Sequence, residues 1–217
     1  MADAYLGLDP TSSESKPSGW AVLGDRAELL SVGSVGSDAE LLALAQRWRA
    51  RVIGIDSPLF LPKGLRCLDA ECPHASCHEW TGEKRAAERE LFRQGIRLYW
   101  TTRKSFIKPM IYRAMALRRI LEGRGMTVIE VYPYASKVRL WGELKMPKKT
   151  TPDGRRWLRG KLEGIVPGLD HAPRLTHDQL DAIVAAYTAY LYAHDLAEPV
   201  GDPDEGLIRV PRAVTPS

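Results

Sequence analysis

The stretch AYLGLDP, residues 4–10, is an apolar run that stops on an aspartate. It reads as a short buried strand with Asp9 at its end. Working outward, GWAVLG (19–24) and AELLSVG (27–33) read as two further strands joined at the turn-like Gly24-Asp25. The three strands would form an antiparallel meander. Gly33-Ser34-Val35-Gly36 reads as a turn and not as a phosphate-binding loop, because no Lys-Ser/Thr follows it. Asp38 is expected to cap a helix over AELLALAQRW (39–48), and RVIGIDSPL (51–59) returns as a buried strand ending in a second acid, Asp56.

Helical patterning resumes at EKRAAERELFRQG (83–95) and at FIKPMIYRAMALRRILEGRG (106–125), where Pro109 belongs near the helix start. MTVIEVYPY (126–134) is a third buried strand, with Glu130 between Ile129 and Val131. Short helices near 135–144 and 155–164 flank the basic loop KMPKKTTPDGRR (145–156). A long helix begins in LTHDQLDAIVAAY (175–187), and a strand-like GLIRVP (206–211) closes the pattern. Only AVTPS (213–217) is expected to be disordered.

In the long helix, Thr176 is placed to cap and Gln179 falls at the third helical position, which puts Asp178 and Asp181 on one face of the first turns. Ala182, Ala185 and Ala189 continue that face, so the helix backbone could approach a sheet closely. Parallel strands separated by helices place their ends along one sheet edge. Asp9, Asp56 and Glu130 are therefore expected to converge with the two aspartates of the helix. Each acid also has a simpler role open to it: a turn for Asp9 and Asp56, an arginine partner for Glu130, the helix N-terminus for Asp178 and Asp181.

The 217 residues, 44% of them hydrophobic, suit one α/β domain over 1–217 with an insertion at about 57–105. No apolar run approaches the roughly 20 residues of a membrane span, and the start lacks a signal-peptide layout, so the expected location is the cytoplasm, away from membranes. The net charge of +4 is unevenly spread. Residues 84–124 hold twelve Lys/Arg against three acids and residues 137–161 hold nine against two. Such segments suit a polyanion. Arg97, Arg103 and Lys104 interleave with Tyr99 and Trp100, while Lys148, Lys149, Arg155 and Arg156 could reach phosphates, a mixture that favours nucleic acid.

LGLDP followed by SGWAVL resembles the first hairpin of the Holliday-junction resolvases, and THDQLDAIVAA is similar to their final helix. GLDP, IDSPLFLP, AERELFRQGIRLY, VIEVYP, the KK and GRR basic stretch and HDQLDAIVAAYTA together resemble a family of uncharacterised predicted nucleases. The resemblance runs over about residues 5–192 and rests on the order and spacing of these motifs. It implies a ribonuclease H-like fold: a mixed sheet of an antiparallel meander plus parallel strands, flanked by helices. It also implies a nuclease, a hydrolase of phosphodiester bonds in DNA or RNA, and a homodimer as in resolvases. The Ser-rich loop after Asp9 is longer than the short Gly turn common in resolvases.

Carboxylate chemistry fits this expectation. Two cations roughly 3.5–4 Å apart, held by several carboxylates, can cleave a phosphodiester, and hard oxygen ligands suit Mg²⁺ or Mn²⁺. Asp9 would bridge the metals, Asp56 and Glu130 would complete the sites, and Asp178 or Asp181 would bind the second metal or orient water. Two alternatives stay open: a catalytically inactive nucleic-acid-binding protein, and a phosphotransferase or ATPase of the actin-like fold. The absence of Gly-rich phosphate turns after Asp9 and Asp56 weighs against the latter.

CLDAECPHASCH (67–78) contains every cysteine of the chain. Cys67, Cys72 and Cys77 with His74 or His78 would close a tetrahedral zinc site, and the same donors could hold an iron–sulfur cluster. Free thiols are the remaining alternative. A structural metal here would order the insertion beside the acidic edge.

Overall fold

The computed structural model describes residues 3–78, 80, 82 and 84–213, with the side chains of Ser76 and His78 left out. The side chain of His78, a candidate metal donor, and the closing 214–217 therefore lie outside what is described.

Seven strands form one sheet: β1 (Tyr5–Asp9), β2 (Ser18–Leu23), β3 (Leu29–Val35), β4 (Val52–Asp56), β5 (Thr127–Val131), β6 (Ala197–Val200) and β7 (Ile208–Pro211). Their order is β3-β2-β1-β4-β5-β7-β6. β1 pairs antiparallel with β2, as β2 does with β3 and β6 with β7, while β1, β4, β5 and β7 run parallel. This is the mixed, helix-flanked sheet expected from sequence, with a Cys-rich insertion between β4 and β5. The meander runs two residues further than the sequence suggested, because Gly33, Ser34 and Val35 pair with Trp20, Gly19 and Ser18 and are strand, not turn. β6, with the sequence AEPV, carries no alternation from which it could be read.

Helices α1 (Asp38–Trp48) and α4 (Lys108–Gly123) cover one face of the sheet. There Leu6, Leu8, Ile53 and Ile55 pack against Leu41, Ala45, Ala114 and Leu117. Ser37, not Asp38, caps α1, through a capping box with Glu40. Pro109 lies in the first turn of α4, where a missing N–H costs nothing. α3 (Ala86–Arg93) and α5 (Pro133–Trp141) flank the last strands, and α6 (Pro152–Glu163) packs Leu158 and Leu162 into a cluster with residues of α7 (His177–Ala193) and with Ala21 and Leu23 of β2. A single turn, α2 (Ala75–His78), sits in the insertion.

The other face belongs to α7 (His177–Ala193), whose Thr176 and Gln179 form the expected capping box. Its alanines lie almost on the strands. A Cβ on Gly7 would stand 1.9 Å from the Ala182 carbonyl oxygen, and one on Gly54 2.6 Å from that of Ala185. Only glycine leaves room for that approach. Side chains alternate along a strand, so residues two beyond each glycine point to the same face. Those residues are Asp9 and Asp56, which emerge where α7 begins.

Candidate metal centre

Asp9 ends β1, Asp56 ends the adjacent parallel β4, and Asp181 hangs over both from the second turn of α7. One carboxylate oxygen from each lies within 4.8 Å of the others. Asp181 is 1% exposed and Asp9 8%, while Asp56 is half-buried. Gly19, opposite Asp9 in the β1–β2 register, lets the start of α7 close down; a Cβ there would meet the Asp178 backbone at 2.5 Å.

Three carboxylates this close cannot all carry full charge without cations. Burial, then repulsion from Asp56 and Asp181, pushes Asp9 well above the ordinary carboxylate range, and its Oδ2 has no hydrogen-bond partner among the described residues. Burial and Asp181 lift Asp56 to about 7. For Asp181 burial acts upward too, but Lys137 and Lys149 outweigh it and hold the carboxyl below its usual value. Lys137 Nζ, from α5, donates to Asp181 Oδ1 at 2.9 Å, and Lys149 Nζ donates to Oδ2. Despite burial, the Lys149 ammonium is held above its ordinary pKa by Asp181, Asp56 and Asp9. Positive charge is thus already drawn to the place where a cation would sit.

Asp178 stands at the rim, with Oδ1 2.7 Å from His177 Nδ1, close enough to repel Asp9 and Asp56. Glu130 does not join the group. In the β4–β5 register Val131 pairs with Asp56 and Glu130 with Ile55, so the Glu130 side chain points to the opposite face. There it accepts hydrogen bonds from Arg85 and from the Leu59 amide, each at 2.8 Å, and both ion-pair side chains are nearly inaccessible. The expectation that Glu130 completes a cation site is corrected: it anchors the start of the insertion.

The basic residues divide in the same way. Arg97, Lys104 and Lys148 are exposed. Arg103 donates to the Cys77 carbonyl, Arg155 to the Thr150 carbonyl, and Arg156 pairs with Asp153. Lys149, read as a phosphate contact, belongs to the acidic centre, and Lys137 was not foreseen at all. The sequence did carry one overlooked signal for the centre: the same Gly-x-Asp pattern ends both strands, Gly7-Leu8-Asp9 and Gly54-Ile55-Asp56.

A cavity of 560 Å³ opens beside the acids. Its wall includes Asp9, Asp56 and Asp181, Lys137, Lys148 and Lys149, the buried acids Glu88 and Glu130, and a mostly apolar, aromatic remainder. Tyr132 and Tyr134, which line it, donate to the carbonyls of Arg97 and Leu144, each at 2.6 Å.

In the insertion, the sulfurs of Cys67, Cys72 and Cys77 lie within 4.8 Å of one another and could hold a metal ion. Cys72 and Cys77 Sγ are 2.9 Å apart, and the Arg66 amide donates to Cys77 Sγ at 3.1 Å. Burial pushes the Cys72 thiol up to about 11; for Cys77 the hydrogen bonds from Cys72 and Arg66 outweigh burial and draw it down to about 7. The expected His74 does not join them: its side chain is exposed, and only its carbonyl takes part locally, accepting from the Cys77 amide at 2.9 Å. Among the described residues no helix is long and apolar enough to cross a membrane.

Fold and centre together define an α/β protein that gathers carboxylates at one sheet edge under a capping helix. The chain belongs to the family described as "Protein of unknown function (DUF429)", which it matches over residues 7–206. No curated protein matches it by sequence. Among solved structures it is similar to RuvC from Thermus thermophilus, with 16% identity, a TM-score of 0.48, and coverage of 88% of this chain and 96% of that one.

Proposed function

We propose that the protein is a divalent-metal-dependent nuclease, hydrolysing phosphodiester bonds of nucleic acid with Mg²⁺ or Mn²⁺ held at Asp9, Asp56 and Asp181. The observation that carries this reading is the carboxylate triad itself. Three oxygen donors within 4.8 Å, one with an unpartnered buried oxygen, surround a place that attracts an ammonium, and hard oxygen donors are what these two cations prefer. When bound, the cations activate water and offset charge on the leaving oxygen. Water oxygen bonds to phosphorus and gives up a proton to solvent, the ester P–O bond breaks, and the leaving oxygen takes a proton from solvent.

The chain's own residues supply the rest. Lys137 keeps Asp181 ionised and aimed at the centre. Lys149 holds the place of a cation and, once displaced, is close enough to meet the phosphate with the exposed Lys148. Asp178, on the rim, binds a second cation or orients water. Four arginines, Arg155, Arg156, Arg159 and Arg174, line a separate recess of 310 Å³, which adds support for a polyanionic substrate.

For the thiol cluster the donor set fits Zn²⁺: three sulfurs, one of them with its pKa drawn down to about 7, toward the thiolate that binds metal. Its role is structural, holding the insertion beside the cavity, and an iron–sulfur cluster would be the other outcome of a metal analysis.

The test is cleavage of labelled single-stranded, duplex, branched and RNA–DNA hybrid substrates in Mn²⁺ or in EDTA, with Asp9→Asn as control. Cutting that needs the metal and disappears in the variant supports the nuclease. Absence of cutting on every substrate by zinc-replete protein defeats it.

A further inference from the structure

The cavity beside the acids constrains what can be presented to them. Its 560 Å³ falls within the range of about 300–1,000 Å³ that encloses a small ligand, room for a nucleotide and not for a duplex. Its wall combines Lys148, Lys149 and the triad with Tyr99, Tyr134 and Trp157. That combination of charge and aromatic surface matches a phosphate and a base.

A second observation points the same way. Tyr99 lines the cavity yet is 62% exposed, and its ring meets, edge to face at 5.0 Å, the ring of Phe106, itself 75% exposed. Two aromatic rings left in water at the mouth of a polar centre bury little against the protein. Flanked by Arg97 and Lys104, both exposed, they form a stacking surface next to positive charge. By contrast Trp100, which also interleaves with the basic residues, packs on Phe92 at 5.2 Å under the Lys84 ammonium and is occupied.

We infer that the cavity receives one unstacked nucleotide, its base against Tyr99 and its phosphate toward Lys149. The substrate is therefore single-stranded, and intact duplex is excluded. This rests on the nuclease reading for the chemistry, but not for binding.

The experiment uses full-length Asp9→Asn protein, which cannot cut, with fluorescein-labelled 12-nucleotide DNA and RNA strands and the corresponding blunt duplexes. Single strands of at least one sugar type should bind tenfold or more tightly than duplex. Adding Tyr99→Ala should weaken that binding by about five- to a hundredfold, while Tyr99→Phe stays within twofold. Tyr99 is exposed, so neither change threatens the fold. Equal binding of duplex and single strand, or no effect of Tyr99→Ala, overturns the inference even if wild-type protein cuts nucleic acid. Tyr99-dependent strand binding without any Mn²⁺-dependent cleavage by wild type would instead defeat the nuclease reading and leave the binding site standing.

Discussion

Glu130 and the pair Asp9–Asp56 are buried acids on neighbouring parallel strands, yet they meet opposite environments. Glu130 has both oxygens satisfied, by Arg85 and the Leu59 amide. Asp9 keeps a buried oxygen with no partner and faces two other carboxylates across a few ångströms. Burial lifts the pKa of all three; Arg85 opposes the lift at Glu130, whereas at Asp9 and Asp56 the opposing lysines are set against burial and repulsion from neighbouring carboxylates. A buried charge that has its partners stabilises a fold, whereas one left short of them destabilises it unless a ligand completes the set. On that difference rests the proposal that Asp9 and Asp56 hold a cation while Glu130 holds the fold.

Substitution should break the two regions in opposite ways. Asp9→Asn or Asp56→Asn removes a cation ligand and relieves repulsion. Cleavage should fall by about a thousandfold or more, the equivalent of several kcal/mol, while the metal-free melting temperature stays level or rises. Glu130→Gln leaves Arg85 buried without its counter-charge. Breaking such a pair costs about 3–5 kcal/mol, so the melting temperature should drop by about 6–20 °C. Turnover well below that midpoint should stay within a few-fold of wild type.

Lysine 149 sharpens the comparison, because it is the cation the chain supplies for itself. Lys149→Met removes a competitor for the triad, so Mn²⁺ should bind more tightly by titration calorimetry. Cleavage should nonetheless fall, by about ten- to a hundredfold, because the phosphate loses a positive contact.

The smallest effect is on the pH dependence of stability. In the unfolded chain Asp9 and Asp56 ionise near 4; folded, Asp56 holds its proton to about 7 and Asp9 is also raised well above its ordinary value. Between about pH 4 and 7 the folded, metal-free protein therefore binds more protons than the unfolded chain, and its stability declines as pH rises. Melting curves in EDTA should show that decline, Mn²⁺ should reverse it near pH 7, and Asp56→Asn should flatten it.

Much of this was legible in the sequence. Apolar runs stopping on Asp9 and Asp56, and the Thr176–Gln179 cap ahead of Asp181, come from local patterning, which survives folding. What could not be read was parity across strands. Glu130 in an apolar run looks the same whichever face it points to, and only its register against Ile55 decides. Lys149 was hidden in a basic run because its partner, Asp181, is 32 residues away. His74 sits amid the cysteines in sequence, but the chain turns its ring outward, whereas β6, four residues with a proline among them, is too short to announce itself.

The most direct measurement is Mn²⁺ binding at pH 7.5, by titration calorimetry, to wild type and to the Asp9→Asn, Asp56→Asn, Asp181→Asn and Glu130→Gln variants at a temperature where all are folded. Saturable binding that is lost in each of the three aspartate variants and kept in Glu130→Gln is the result required by a cation centre on one face of the sheet. Binding that survives in the aspartate variants, or that disappears with Glu130, would contradict it.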